Sequence, residues 1–126
     1  MRHVRLLTAA LITIAATTLA ACGDGSPGQS AAQDACKGYA NTGRKQVATT
    51  VEGADAIRAT VRADARRAAT ADRSWSALQR DIADAYSGES TLLTATASEV
   101  DAYFAADRRV EADCKSAGED IGPLQP

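Results

Sequence analysis

From Asp34 onward, the apolar residues of this 126-residue chain recur at intervals of three and four. That spacing stacks side chains on one face of an α-helix. Four stripes follow one another. The first is Cys36, Tyr39, Ala40, Gly43, Val47 and Val51, and the second is Ile57, Val61, Ala65, Ala68 and Ala69. The third is Trp75, Leu78, Ile82 and Tyr86, and the fourth is Val100, Tyr103, Phe104, Val110 and Cys114. From Asp34 on, no stretch alternates apolar and polar residues as a strand would, and Thr49-Thr50-Val51 is the one β-branched run there. The pattern predicts an all-α domain, a small up-down helical bundle. Gly53 is expected to end the first helix and Asp55 to cap the second. Asp72 or Ser74 starts the third, and Ser87-Gly88-Glu89-Ser90 interrupts it. Ser90 or Ser98 opens the last, and Gly118 followed by Gly122-Pro123 closes the ordered part. Gly38 and Gly43 each cost about 1 kcal/mol against alanine inside a helix. They suit either a close approach to a neighbouring helix or a bent first helix.

Large apolar residues are few, because much of the 45% hydrophobic content is alanine. The core should therefore be thin, and a domain of this size is marginal without additional support.

The first 22 residues have a different character. Met1-Arg2-His3-Val4-Arg5 is basic, Leu6 to Leu19 is apolar but diluted by Thr8, Thr13, Thr17 and Thr18, and Leu19-Ala20-Ala21-Cys22 ends the run in small residues before a cysteine. A membrane span needs about 20 mostly apolar residues, more than this run supplies. The segment closely resembles the signal peptide of bacterial lipoproteins, with Leu-Ala-Ala-Cys as the lipobox. More loosely, the whole chain resembles the small Ala-rich helical lipoproteins of high-GC Gram-positive bacteria. The resemblance implies cleavage after residue 21 and a diacylglycerol, with palmitate-type chains, on Cys22. Each buried methylene contributes about 0.8 kcal/mol, so two acyl chains anchor where one would exchange. The expected division is thus a signal peptide over 1–21, a lipidated cysteine and flexible tether over 22–33, a helical domain over 34–118 and a disordered tail over 119–126.

With Cys22 acylated, Cys36 and Cys114 remain, and an even pair in an exported chain is most simply a disulfide. Closing that loop could contribute up to about 4–5 kcal/mol on chain entropy alone. The two cysteines lie at the start of the first helix and near the end of the last. In an up-down bundle those ends meet when the helix number is even, which favours four helices over three. If the second and third segments fuse across residues 68–73, three remain.

Arg2 and Arg5 leave with the signal peptide, so 12 basic residues face 16 acidic ones, a mature balance of −4. A mildly acidic domain without a concentrated basic patch argues against nucleic acid as a partner. The chain's one histidine, His3, also lies in the leader. That excludes Ser-His-Asp and Cys-His catalysis and His-containing zinc sites from the mature domain. No Gly-rich phosphate loop opens a helix, and no Ser-x-x-Lys pair occurs. We expect no enzyme activity, no cofactor and no metal.

A few clusters remain. Asp81 and Asp84 share a helix face, as do Asp107 and Glu111. Paired sets of carboxylates can bind a divalent cation, but solvated faces pairing with Arg80, Arg108 and Arg109 are the simpler reading. Asp107 lies beside the last stripe, where it either borders the core next to an arginine or lines a cleft. Arg58, Arg62 and Arg66 form a row that could contact lipid headgroups, or simply cover a small-residue helix with their stems. Trp75 could line a ligand groove or partner surface, or plug one end of the bundle.

These readings combine into one expectation. The chain is a lipid-anchored protein on the extracytoplasmic face of the cell membrane, and its helical domain is a non-enzymatic interaction module for an unidentified envelope protein. The alternative is a small-ligand carrier with a cleft near Trp75, Tyr103 and Phe104.

Overall fold

The computed structural model describes residues 25–45, 48 and 50–124. Residues 1–21, Cys22 and Val47 lie outside the described residues. Four α-helices form an up-down bundle: α1 Gln29–Gly43, α2 Val51–Ala71, α3 Ser76–Glu89 and α4 Ala97–Ala117. Single 3₁₀ turns, Arg73–Trp75 and Leu92–Thr94, lead into α3 and α4, and the described residues contain no strand. The second and third segments are therefore separate helices. Asp72 separates them: its backbone is extended and its carboxylate accepts the Ser74 N–H at 2.9 Å.

Cys36 and Cys114 are bonded, with their Cα atoms 5.6 Å apart. Cys36 lies midway along α1, and the Gln29 and Gln33 amides bring the start of α1 to Ala117 at the end of α4, as an even helix number requires. We call this end, which also holds the α2–α3 connection, the base. The α1–α2 and α3–α4 connections share the opposite end, the tip.

Several boundaries differ from expectation. Helix α1 begins at Gln29 rather than Asp34, so the last five residues of the expected 22–33 tether are helical. Small and polar residues hide this segment from a periodicity argument. Ala32 and Ala35 are fully buried, and the Gln29 and Gln33 amides donate to the Ala117 carbonyl at 3.1 and 2.8 Å. Those bonds satisfy one of the carbonyls left open at the end of α4. Helix α1 ends at Gly43, not Gly53, and Val51 begins α2 instead of extending the first stripe. Thr50, rather than Asp55, caps α2 by accepting the Gly53 N–H at 3.0 Å. Thr96 caps α4 in place of Ser90 or Ser98, in a reciprocal capping box with Glu99. The expected tail is packed as far as it is described. Ile121 lies against the core, Glu119 pairs with Lys37 at 3.3 Å, and the Gly122 carbonyl accepts from Arg44 Nε at 2.7 Å.

The core is as thin as composition implies. Leu78, Ile82, Val61, Val110 and the disulfide are its largest fully buried side chains, and alanines from all four helices fill the rest. Small residues let backbones approach closely: a Cβ on Gly38 would stand 2.6 Å from Val61 Cγ2. Gly118 ends α4 at φ +91°, in the left-handed region where glycine carries no Cβ penalty.

Candidate functional site

The chemistry-bearing residues gather in the tip half, in a polar network that draws on all four helices. Its centre is Asp107, 2% exposed on α4. Arg44, just past the end of α1, grips it with both terminal nitrogens at 3.1 and 2.9 Å. The Tyr39 hydroxyl donates to the same carboxylate at 2.8 Å. Of the two sequence alternatives for Asp107, the structure shows the first: it borders the core beside an arginine. That arginine was not singled out, because Arg44 follows α1 in sequence and meets α4 only through the fold. Burial, then the Asp107 charge, raises the Tyr39 phenol well above its ordinary value, so it remains a donor.

Tyr39 also stacks on Tyr86 with ring centroids 5.3 Å apart, and Arg44 lies 5.6 Å over the Tyr39 ring. The Tyr86 hydroxyl meets Thr42 Oγ1 at 3.0 Å, and burial pushes its phenol up to about 12. On the outer face of Tyr86 stand two arginines of the predicted row, with Arg58 and Arg62 at 5.8 and 5.2 Å from the ring centre. Such stacking typically contributes about 0.5–1 kcal/mol at exposed sites. Arg58 bonds Glu89 at 2.9 Å and Asp55 at 3.1 Å, and the Glu89 hydrogen bond raises its pKa further. Arg66 is exposed on the same helix, toward the base, and takes no part in the network. The row therefore divides: Arg58 and Arg62 cover Tyr86, and Arg66 does not.

The three aromatics expected to line one cleft do not meet. Trp75 closes the base, 9% exposed, with its indole N–H donated to the Pro27 carbonyl at 3.0 Å. Tyr103 packs on Gly88 at the other end of α3, about 20 Å away at 1.5 Å per helical residue. Phe104 contacts Tyr103 edge-on, at 5.2 Å between ring centroids, but is 41% exposed. An open groove of about 460 Å³ does run between α3 and α4 beside Tyr103, flanked by Asp84, Glu99 and Arg109. Neither Trp75 nor Phe104 lines it. A cleft lined jointly by Trp75, Tyr103 and Phe104 is thus corrected to a base plug and a separate tip-side pair.

Asp81 is buried and accepts from Arg109 Nε at 3.1 Å and Arg80 Nε at 3.4 Å, while Asp84 lies 3.6 Å from Arg109. Asp81 and Asp84 thus pair with Arg80 and Arg109, two of the three arginines expected, but Asp81 is buried rather than solvated and Asp107 pairs with Arg44 instead. Among the described residues, no three Cys, His, Asp or Glu side chains are grouped closely enough to hold a metal ion. Among the same residues, no helix is long and apolar enough to cross a membrane.

Sequence reasoning also missed the tip itself. Val51 at 73%, Leu93 fully exposed and Phe104 are large apolar side chains facing solvent, although the first and fourth stripes had assigned Val51 and Phe104 inward. All three lie at or near the tip, Phe104 two helical turns from it. Their excess over the thin core could have been noticed, because Leu93 follows Leu92 and only one of two successive residues can face inward. Compared with protein-family models, curated proteins and solved structures, the chain matches none.

Proposed function

We propose that this chain is a lipoprotein held on the extracytoplasmic face of the cell membrane, and that its helical domain is a non-enzymatic interaction module presenting the tip outward. One observation carries the reading: the N-terminal segment and the exposed apolar side chains occupy opposite ends of the bundle. Pro27 and Gly28 are held at the base, against Trp75 and Ala68. Cys22 precedes Gly25 by three residues, a covalent reach of at most about 11 Å. A diacylglycerol on Cys22 would therefore keep the base against the headgroups. Helix α2, with 21 residues, is about 31 Å long and sets the height of the tip above the base. Isolated exposed apolar residues are ordinary, but Val51, Leu93 and Phe104 concentrate at the end that this anchoring turns away from lipid.

The Asp107–Arg44–Tyr39 network supports the non-enzymatic reading in a specific way. Each of its polar atoms is engaged by the fold, and the phenol is held protonated, so no free nucleophile or base is offered. Membrane fractionation tests the anchor: Cys22→Ala should move the protein to the soluble fraction, and retention on membranes would refute it. Photo-crosslinkers placed at Leu93 and at Arg73 test the orientation. Protein adducts are expected from Leu93 and lipid adducts from Arg73; the reverse pattern would overturn it.

A further inference from the structure

Past the end of α4 the chain turns back along α1. The Glu119 N–H donates to the Cys114 carbonyl at 2.9 Å, and among the described residues this is the chain's last backbone-to-backbone hydrogen bond. The segment beyond it lies along one face of α1. Glu119 pairs with Lys37 at 3.3 Å, the Gly122 carbonyl accepts from Arg44 Nε at 2.7 Å, and Leu124 reaches Gly43. Lys37, Ala40 and Arg44 recur at intervals of three and four, so the contacts climb a single helix face toward the tip. Arg44 also grips Asp107 on α4, which places this face at the α1–α4 seam. Ile121 packs inward against the core, while Asp120 and Pro123 face solvent.

We propose that this face of the α1–α4 seam is a docking groove for an extended segment of a partner protein, and that residues 119–124 fill it in the partner's absence. The proposal rests on the reading of the domain as an interaction module and adds the chemistry its partner must present. That segment needs an acidic residue for Lys37 and an aliphatic residue two positions later, where Ile121 sits. The next position must offer its main-chain carbonyl to Arg44 Nε. Gly122 has φ +67°, so glycine suits that position best.

The chain holds its own segment lightly. Lys37 is 59% exposed in its pair with Glu119, and exposed pairs contribute little. The Gly122 N–H is taken by Asp120 within the segment, at 3.0 Å, rather than by the bundle. One hydrogen bond from Arg44 and the half-buried Ile121 and Leu124 remain. The disulfide and all four helices close before the segment begins, so it can lift without opening the bundle. Arg44 then loses one acceptor but keeps both bonds to Asp107, and its charge stays matched. A partner must still outcompete a tethered segment whose effective concentration is about millimolar.

A nine-residue peptide copying residues 118–126 serves as the probe. Ile121→Asp in the full chain should lift its own segment, and fluorescence anisotropy should then find the labelled peptide bound at least about tenfold more tightly than by the unchanged chain. The same peptide carrying I121D should bind neither. Equal binding by the two chains or by the two peptides would overturn the proposal, as would no binding to a variant with unchanged circular dichroism and an intact disulfide. A second measurement leaves Lys37, Arg44 and Ile121 in place and decides the matter if that variant does not fold. With an environment-sensitive fluorescent amino acid at Leu124, the unlabelled peptide should release the segment with a midpoint of about 1 mM. Emission unchanged up to about 10 mM peptide would refute the groove. Release that follows the concentration of the chain itself would assign the groove to a second copy and overturn a separate partner. Neither measurement involves a membrane, so failure here leaves the fractionation and crosslinking tests of the anchored module to stand or fall alone.

Discussion

The base half and the tip half of this bundle solve the same shortage of large apolar residues in different ways. From the base to the middle of the bundle, alanines, Gly38 and a disulfide bring backbones close together, so little side-chain volume is needed. Toward the tip, the helices are bridged instead by tyrosine rings whose hydroxyls and faces are matched to Asp107, Thr42 and arginines. The base relies on proximity and a covalent bond. The tip half relies on a connected set of polar partners, in which removing one leaves another buried without its match.

That difference can be broken deliberately. The largest effect is expected from Asp107→Ala, which strands the nearly buried Arg44 guanidinium, its side chain 7% exposed; stability should fall by about 3–5 kcal/mol in denaturant unfolding. Tyr39→Phe removes one donor from the same carboxylate and should cost only about 1–2 kcal/mol, since Arg44 still neutralises it. Next comes the base: Cys36→Ser with Cys114→Ser should lower stability by about 2–4 kcal/mol, the usual worth of a disulfide closing a long loop. Gly38→Ala should cost about 1–3 kcal/mol, because the new methyl must displace Val61. If the alanine were neutral, α1 and α2 would not be as close as described. Smallest is Leu93→Ser at the tip, where calorimetry should find a change within about 0.5 kcal/mol, since the side chain touches solvent.

The sequence made the base more legible than the tip. Cys36, Leu78, Ile82, Val110 and Cys114 carry the three-four period, and their faces can be read without knowing which helix they meet. The bonding of the cysteines and the number of helices followed from that. Helix ends were harder, because Thr50 and Thr96 are capping residues among many threonines and serines, and only the fold selects between them. The first two turns of α1 lacked large residues to mark them; glutamines and alanines hold them through contacts 84 and 88 residues away. Asp107 stood out as an acid next to an apolar stripe. Its partner Arg44 did not, since a pairing across 63 residues has no local signature.

The central claim is polarity: a base held at the bilayer and a tip turned away from it. A fluorescent amino acid introduced at Arg73 or at Leu93 of the acylated protein, bound to vesicles carrying a headgroup-attached quencher, measures it most directly. The account requires strong quenching at Arg73 and little at Leu93. Equal quenching at both positions, or stronger quenching at Leu93, would contradict it.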